Sequence, residues 1–598
     1  MLDKKDVKSR EGFWENKRLN MAMTKKYFQN IEEKIILLYG KRKSTLLINE
    51  IKKLLEKYKK NISSHDSVYK FLDEKDVILI TYGDSIFSSN RNPLKSLQDF
   101  ISKYLYKTIN IIHLLPFYPY SSDDGFSVVN CKEVNPFLGT WENIDDICKK
   151  SNLMFDLVIN HISSKNKWFK EFLEGNPNYD NYFISFEKKP DISSVTRART
   201  HPLLTKFTKK DKEIYLWTTF SEDQIDLNFA NEKVLLSMID IILFYCSKKA
   251  RIIRLDAIGH IWKKLNSSCI NLKKVHIITQ LIRAIMDEIF PDVLLVTETN
   301  VPFKKNFSYF GDGYNEAQLI YNFAIPFLVL HTFYTGNALQ LLKYAFSIGD
   351  MSKRTALFNI LATHDGIGVV PVKDILTERE IENVIKNIIQ RGGYVSYKIA
   401  KNGTKKPYEL NITYYSAIAD FKASLELNIR KFIASQAIIL SLKGIPGIYI
   451  HSLLGTENNL DGVVKTGQRR AINRKKISFQ RLDELLSKKN IKESKIFREY
   501  IRLINIRKSE IAFHPSGKQR VLFTKKEIFS LLRISPDGKE KILVLLNVTG
   551  DQQCLYLTSK DFLPAGKHYF DIVHKKTINI NKISLNPYQV MWLKNVSG

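Results

Sequence analysis

From Val77 onward, short and almost wholly apolar runs alternate with longer stretches in which apolar positions recur at helical spacing. The runs have the pattern of strands buried on both faces, and the stretches that of amphipathic helices. Their alternation predicts a parallel β/α fold. Eight runs read as strands: DVILITYG (76–83), TINIIHLLPF (108–117), LMFDLVINH (153–161), ARIIRLDAIG (250–259), VLLVTETN (293–300), AQLIYNF (317–323), TALFNILATHD (355–365) and GIPGIYIHS (444–452). Each leaves room for a helix before the next, which predicts a (β/α)8 TIM barrel with its active site at the C-terminal strand ends.

The flanks carry other patterns. MAMTKKYFQNIEEKIILLYG (21–40) and STLLINEIKKLLEKYKKN (44–61) place apolar residues at i, i+3, i+4 and i+7, predicting a helical extension over 1–75 that packs on the following domain. The barrel is expected over 76–506. It is interrupted by a long lysine-rich insertion at 163–230, expected to roof the active site, and a second at 372–421, with Gly392-Gly393 and KNGTKKPYEL, expected to include a movable loop. Beyond Arg507 come short alternating strands such as FSLLRISP, KILVLLNVTG and YQVMWLKN, predicting an antiparallel β domain over 507–598.

Charge interrupts the apolar runs at their ends. In RIIRLDAIGH (251–260), Arg254 and Asp256 lie two apart and face the same side of a strand, so Arg254 is expected to hold Asp256 ionised. An ion pair that merely caps the strand is the plain alternative. Other expected strand ends supply Asp124 and Phe126, then Asp156, Asn160 and His161, then Glu298, then His364 and Asp365. Singly, His161 reads as a satisfied core histidine and Asp124 as a turn residue in SDDG. The convergence of Asp256, Glu298 and Asp365 from three strands is a functional signal. Carboxylates with histidines and an arginine, and no nearby cysteine, suit glycosyl transfer, in which one ionised carboxylate attacks and one protonated carboxyl assists departure. A metal held by His161, His364 and the acids would be opposed by the arginine beside the central Asp.

Composition changes this picture little. The 598 residues carry a net charge of +30, but the lysines are spread along the chain rather than gathered beside aromatics. With Asn and Ile also abundant, compositional bias is the first reading and an anionic substrate the second, and no nucleic-acid partner is expected. Five cysteines without a CxxC pair argue for a reducing compartment, hence a cytoplasmic protein. MLDKKDVKSREGFWENK lacks the apolar core of a signal peptide, and no run of eighteen apolar residues suggests a membrane partner.

Four short motifs, DLVINH (156–161), RLDAIGH (254–260), TETN (297–300) and THDGIG (363–368), resemble those of the alpha-amylase superfamily, in order and on the expected strands. HLLPFYPYSSDDGFSV, TFSEDQIDLNFAN, TETNVP with YFGDG, and PYELNITYYSA resemble its sucrose phosphorylase subfamily, and SSDDGFSV the glucosylglycerate phosphorylase branch. The resemblance implies Asp256 as nucleophile, Glu298 as general acid/base and Asp365 as transition-state stabiliser. It implies that Arg254, His161 and His364 bind the glucosyl hydroxyls, and that Asp124, in DDGF with Phe126, pairs with Arg470 of GQRRAINR to close the pocket beyond one glucosyl unit. Phosphate is implied to meet Arg197 or Arg199 and Tyr408. Glu409 stands where sucrose phosphorylases have glutamine, and His260 where tyrosine is expected.

The activity so implied is transfer of a glucosyl unit from an α-glucoside, glucosylglycerate first, to inorganic phosphate, with retention and without metal or cofactor. Sucrose, sucrose 6-phosphate or glucosylglycerol phosphorolysis, hydrolysis or transglucosylation on the same barrel, and noncatalytic sugar binding are the alternatives.

Overall fold

The structure, a computed structural model, describes residues 28–60, 71–399, 403–557 and 568–595. Eight parallel strands close a barrel in chain order: β1 (Ile78–Thr81), β2 (Ile111–Leu114), β3 (Asn152–Val158), β4 (Ala250–Asp256), β5 (Leu294–Thr297), β6 (Leu319–Tyr321), β7 (Ala356–Ile360) and β8 (Ile445–Tyr449). Each lies within one of the eight apolar runs, except that β3 begins one residue before its run. All but β3 and β4 are buried at every position, as strands covered by helices outside and side chains inside must be.

The helices of the outer layer begin on local signals. Asn231 caps Glu232–Ser247 by accepting from the Lys233 N–H, and Ser424 caps Leu425–Ser441 by accepting from Leu427. Helices at 28–39 and Lys41–Lys59 lie on the barrel. Ile48, Ile51 and Leu55 are buried, Lys43 pairs with Glu232 at 2.9 Å, and the Tyr58 hydroxyl donates to Asp240 at 2.9 Å. Positions 21–27 and 61 of the expected helices lie outside the described residues.

The segment between β3 and β4 is more regular than its sequence suggests. Strands Leu204–Lys209 and Lys212–Trp217 form a hairpin extended by Ser185–Phe186, over a small core of Val195, Leu203, Leu204, Trp217 and Cys269. After β7 a second hairpin, Tyr394–Ile399 with Lys405–Asn411, pairs with Ile367–Gly368. Its tip, residues 400–402, where a movable loop is expected, lies outside the described residues.

A six-stranded antiparallel sheet follows, in the order Lys518–Val521, Ile528–Ile534, Lys541–Asn547, Val590–Asn595, His568–Asp571 and Lys576–Asn579. Buried Arg533 and Trp592 join it to the barrel by donating to the carbonyl and hydroxyl of Ser441, at 2.9 and 3.1 Å. Among the described residues no helix is long and apolar enough to cross a membrane.

Candidate active site

Parallel pairing places Arg254 of β4 opposite Asp156 of β3 and Val296 of β5. Neighbours in register project to the same face. The Arg254 guanidinium therefore binds Asp156 through Nη1, while the same nitrogen donates to Asp256 Oδ1 at 2.8 Å and Nη2 stands 4.0 Å from Glu298. Burial opposes ionisation of Asp156, but Arg254 and His113, whose Nε2 is 2.7 Å away, bring its carboxyl down to about 2.

Arg254 is thus shared between Asp156 and Asp256, and within the Asp256–Glu298 set it is Asp256 that it bonds directly. Burial pushes the Asp256 carboxyl up, Arg254 only partly offsets it, and Glu298, Asp156 and Asp365 push it further. Burial also raises Glu298. Asp256 and Glu298 titrate as a coupled set. The turn after Asp256 assists Glu298: Ala257 adopts a left-handed conformation, φ 50°, that costs about 1–3 kcal/mol, and aims its N–H at Glu298 Oε2, 2.9 Å away.

Asp365 lies beyond β7 among arginines. Burial works against its charge, yet Arg470, with Nη1 2.6 Å from Oδ1, and His364 and Arg474 hold it well below the carboxylate range. Arg470 is also bidentate to Glu409, at 3.0 and 2.7 Å. The expected pair of Asp124 with Arg470 is therefore corrected: Asp124 Oδ2 pairs with Arg474 Nη1 at 2.7 Å. Arg474 Nε also donates to the His364 carbonyl at 2.9 Å, fixing the fork beside the site. Both arginines stand in GQRRAINR.

The segment carrying Asp124 is held by hydroxyls. Asp123 and Asp124 are left-handed (φ 53° and 47°), and Gly125 has φ 108° where a Cβ would come within 2.6 Å of the Pro116 carbonyl. Ser121, Ser122, Ser127 and Ser164 all donate to the carboxylate of Asp223 in the inserted segment. Phe126 is thereby stacked on His364, centroids 4.7 Å apart, and its carbonyl accepts from His161 Nε2 at 2.9 Å and Gln224 Nε2 at 3.2 Å. Behind His161, buried Lys263 bridges Asn160 and Asp226 at 2.7 and 2.5 Å.

A bulge shapes the outer wall. Ser396 pairs with Glu409, but Tyr397 pairs with Pro407, leaving Tyr408 as the extra residue on its strand. Adjacent strand residues ordinarily face opposite ways, whereas a bulge re-aims one of them. Tyr408 and Glu409 both line the cavity, together with Arg197, Arg199, Lys398 and His260. Tyr408 thus sits on a strand, not in the loop. The Arg199 guanidinium lies 5.5 Å from the Tyr408 ring and 3.5 Å from Glu409, whereas Arg197 donates to the carbonyls of Thr200 and His201. Burial brings His260 down to about 4, so it is neutral at pH 7. Sequence reasoning missed Arg474, Asp223, Gln224 and Lys398. The first three stand inside quoted motifs, while nothing local marks Lys398.

The cavity thus gathers the residues expected at the site except Asp124 and Arg254, on its edge and floor, and Asp156 and Asn160, which bond Arg254 and His161 from behind. Among the described residues no group of three or more His, Cys, Asp or Glu could hold a metal ion. A closed parallel barrel with three acids from three strand ends around an arginine defines an enzyme of the alpha-amylase class. The family model "Alpha amylase, catalytic domain" matches residues 82–365. Glucosylglycerate phosphorylase of Spirochaeta thermophila is 43% identical, over 94% of this chain and 98% of that one, and the Escherichia coli enzyme of the same name is 39% identical, over 95% and 100%. The crystal structure of sucrose 6F-phosphate phosphorylase from Thermoanaerobacter thermosaccharolyticum has a TM-score of 0.70 and 26% identity, covering 79% of this chain and 94% of that one. The chain belongs to the alpha-amylase family, in its sucrose phosphorylase subfamily.

Proposed function

We propose that the enzyme is a retaining glucosylglycerate phosphorylase. Asp256 attacks the anomeric carbon as Glu298 gives its proton to the departing glycerate oxygen, forming a β-glucosyl ester on Asp256. Phosphate then attacks that carbon, Glu298 takes the proton from the incoming phosphate oxygen, and α-glucose 1-phosphate leaves with Asp256 restored. Arg254 bonds Asp256 directly but stands 4.0 Å from Glu298, which favours the ionised form on Asp256 and the proton on Glu298. Asp365, kept charged by Arg470, His364 and Arg474, is placed to stabilise the oxocarbenium-like transition state.

The glucosyl ring belongs between Phe126, His161, His364 and the Asp124–Arg474 pair. Among the described residues His364 Nδ1 and Asn300 Oδ1 are buried without a hydrogen-bond partner. Each such atom costs about 1–3 kcal/mol until sugar hydroxyls or water meet it.

The observation that carries the phosphorylase reading is the outer wall, where Arg199, Tyr408 and Glu409 stand beside Glu298. The Arg199 guanidinium and the Tyr408 side chain there offer a cation and a hydroxyl to an oxyanion, at the point where a hydrolase needs only water. The relatives' names support glycerate as the other half of the donor. The test is to supply glucosylglycerate with and without inorganic phosphate. Phosphate-dependent release of glucose 1-phosphate is expected; release of free glucose at the same rate in both assays would instead identify a hydrolase.

A further inference from the structure

Each carboxylate that lines the cavity already has a partner other than Lys398. Asp256 and Glu298 are met by Arg254 and the Ala257 N–H, Asp365 and Glu409 by Arg470, and Asp123 by Gln224 with Arg474 at 3.9 Å. No lining carboxylate is left over for Lys398. This lysine is half-buried in the same cavity, its Nζ 5.6 Å from the centroid of the Tyr408 ring that Arg199 also approaches.

Among the described residues the charges Lys398 meets are of its own sign. Burial lowers its pKa first, and Lys373 and Lys406 lower it further. Lys406 stands directly across the hairpin, a like-charged cross-strand pair that disfavours the pairing. An ammonium held by desolvation and repulsion alone is poorly placed for stability and well placed for an anion that arrives from solution. Its place follows from strand alternation: Ser396 stands across from Glu409, which lines the cavity, and Lys398, two residues on, shares the face of Ser396.

We infer that Lys398 is a specificity-determining residue of the acceptor side, which with Arg199 receives the oxyanion: phosphate in the forward direction and the carboxylate of an acidic acceptor in reverse. Only the second half rests on the glycerate reading above. Glu409, bidentate to Arg470 and 3.5 Å from Arg199, holds the Arg199 guanidinium at the same wall as Lys398.

The test compares full-length wild type, Lys398→Met and Lys398→Arg, with KM measured for inorganic phosphate in the forward direction and for glycerate and glycerol in reverse. Loss of one charge-assisted contact should raise KM for phosphate and glycerate about tenfold or more in Lys398→Met, and KM for uncharged glycerol less than about threefold. Lys398→Arg should recover most of the loss. A role confined to holding the hairpin would move charged and uncharged acceptors together, and that result, or an unchanged phosphate KM in Lys398→Met, overturns the inference. Wild type that takes glycerol as readily as glycerate would remove the glycerate reading, and the phosphate series would still decide Lys398.

Discussion

Arg474 Nη1 lies 2.7 Å from Asp124 Oδ2, a contact between residues 350 apart in the chain. Asp124 is partly exposed and Arg474 buried, so the pair stands at the edge of the proposed glucosyl pocket with its carboxylate outward. Arg474→Ala strands that carboxylate and frees the His364 carbonyl. A charge-assisted bond worth about 1.5–3 kcal/mol predicts a ten- to hundredfold rise in KM for the glucosyl donor. Asp223→Ala should raise the same KM by releasing the serine-rich segment. Steady-state kinetics on both variants checks this; a change confined to KM for phosphate would place the pair elsewhere.

Asp256→Asn should abolish glucosyl transfer and leave the fold intact, because the amide keeps the carboxylate's shape but cannot form the ester. Circular dichroism and turnover, measured on one preparation, decide it. Turnover near wild type in a folded variant would remove Asp256 from the nucleophile's role.

Glu298→Gln should lose about 10²–10⁴ in rate with the natural donor and much less with a donor whose leaving group needs no proton. The sign of the pH effect follows from the raised carboxyls. A raised group keeps its proton to higher pH, so kcat/KM should fall as pH rises through the upper apparent pKa of the Asp256–Glu298 set, where the general acid is lost. It should also fall as pH drops through the lower one, where the nucleophile is protonated. Glu298→Gln with the activated donor should remove the alkaline limb alone; a limb that persists belongs to another group.

Arg199→Ala should raise the phosphate requirement about tenfold or more, whereas Arg197→Ala, whose guanidinium serves backbone carbonyls, should change it little. Formation of the covalent glucosyl enzyme from an activated donor, followed by mass spectrometry, should proceed in both. Failure of that step in Arg199→Ala would move the arginine into the glucosyl subsite.

By itself the sequence determined the eight barrel strands and the acids at their ends. A doubly buried strand is recognisable from its own few residues, and Asp256, Glu298 and Asp365 directly follow or end such runs. The turn at Asp123–Gly125 was also legible, as SDDG, though not its left-handed backbone. Tertiary structure alone decided the partners. That Arg254 serves Asp156 as well as Asp256 depends on the register between β3 and β4, which no run specifies in isolation. The choice of Arg474 over Arg470 depends on which of two nearby arginines reaches across the site, and the shared outlook of Tyr408 and Glu409 on one bulged residue. Lys398 was invisible for the same reason: its position among lysines says nothing, and only folding shows that the remaining carboxylates are already engaged. Hydrophobic periodicity is local, while electrostatic pairing is set by distances between residues far apart in the chain.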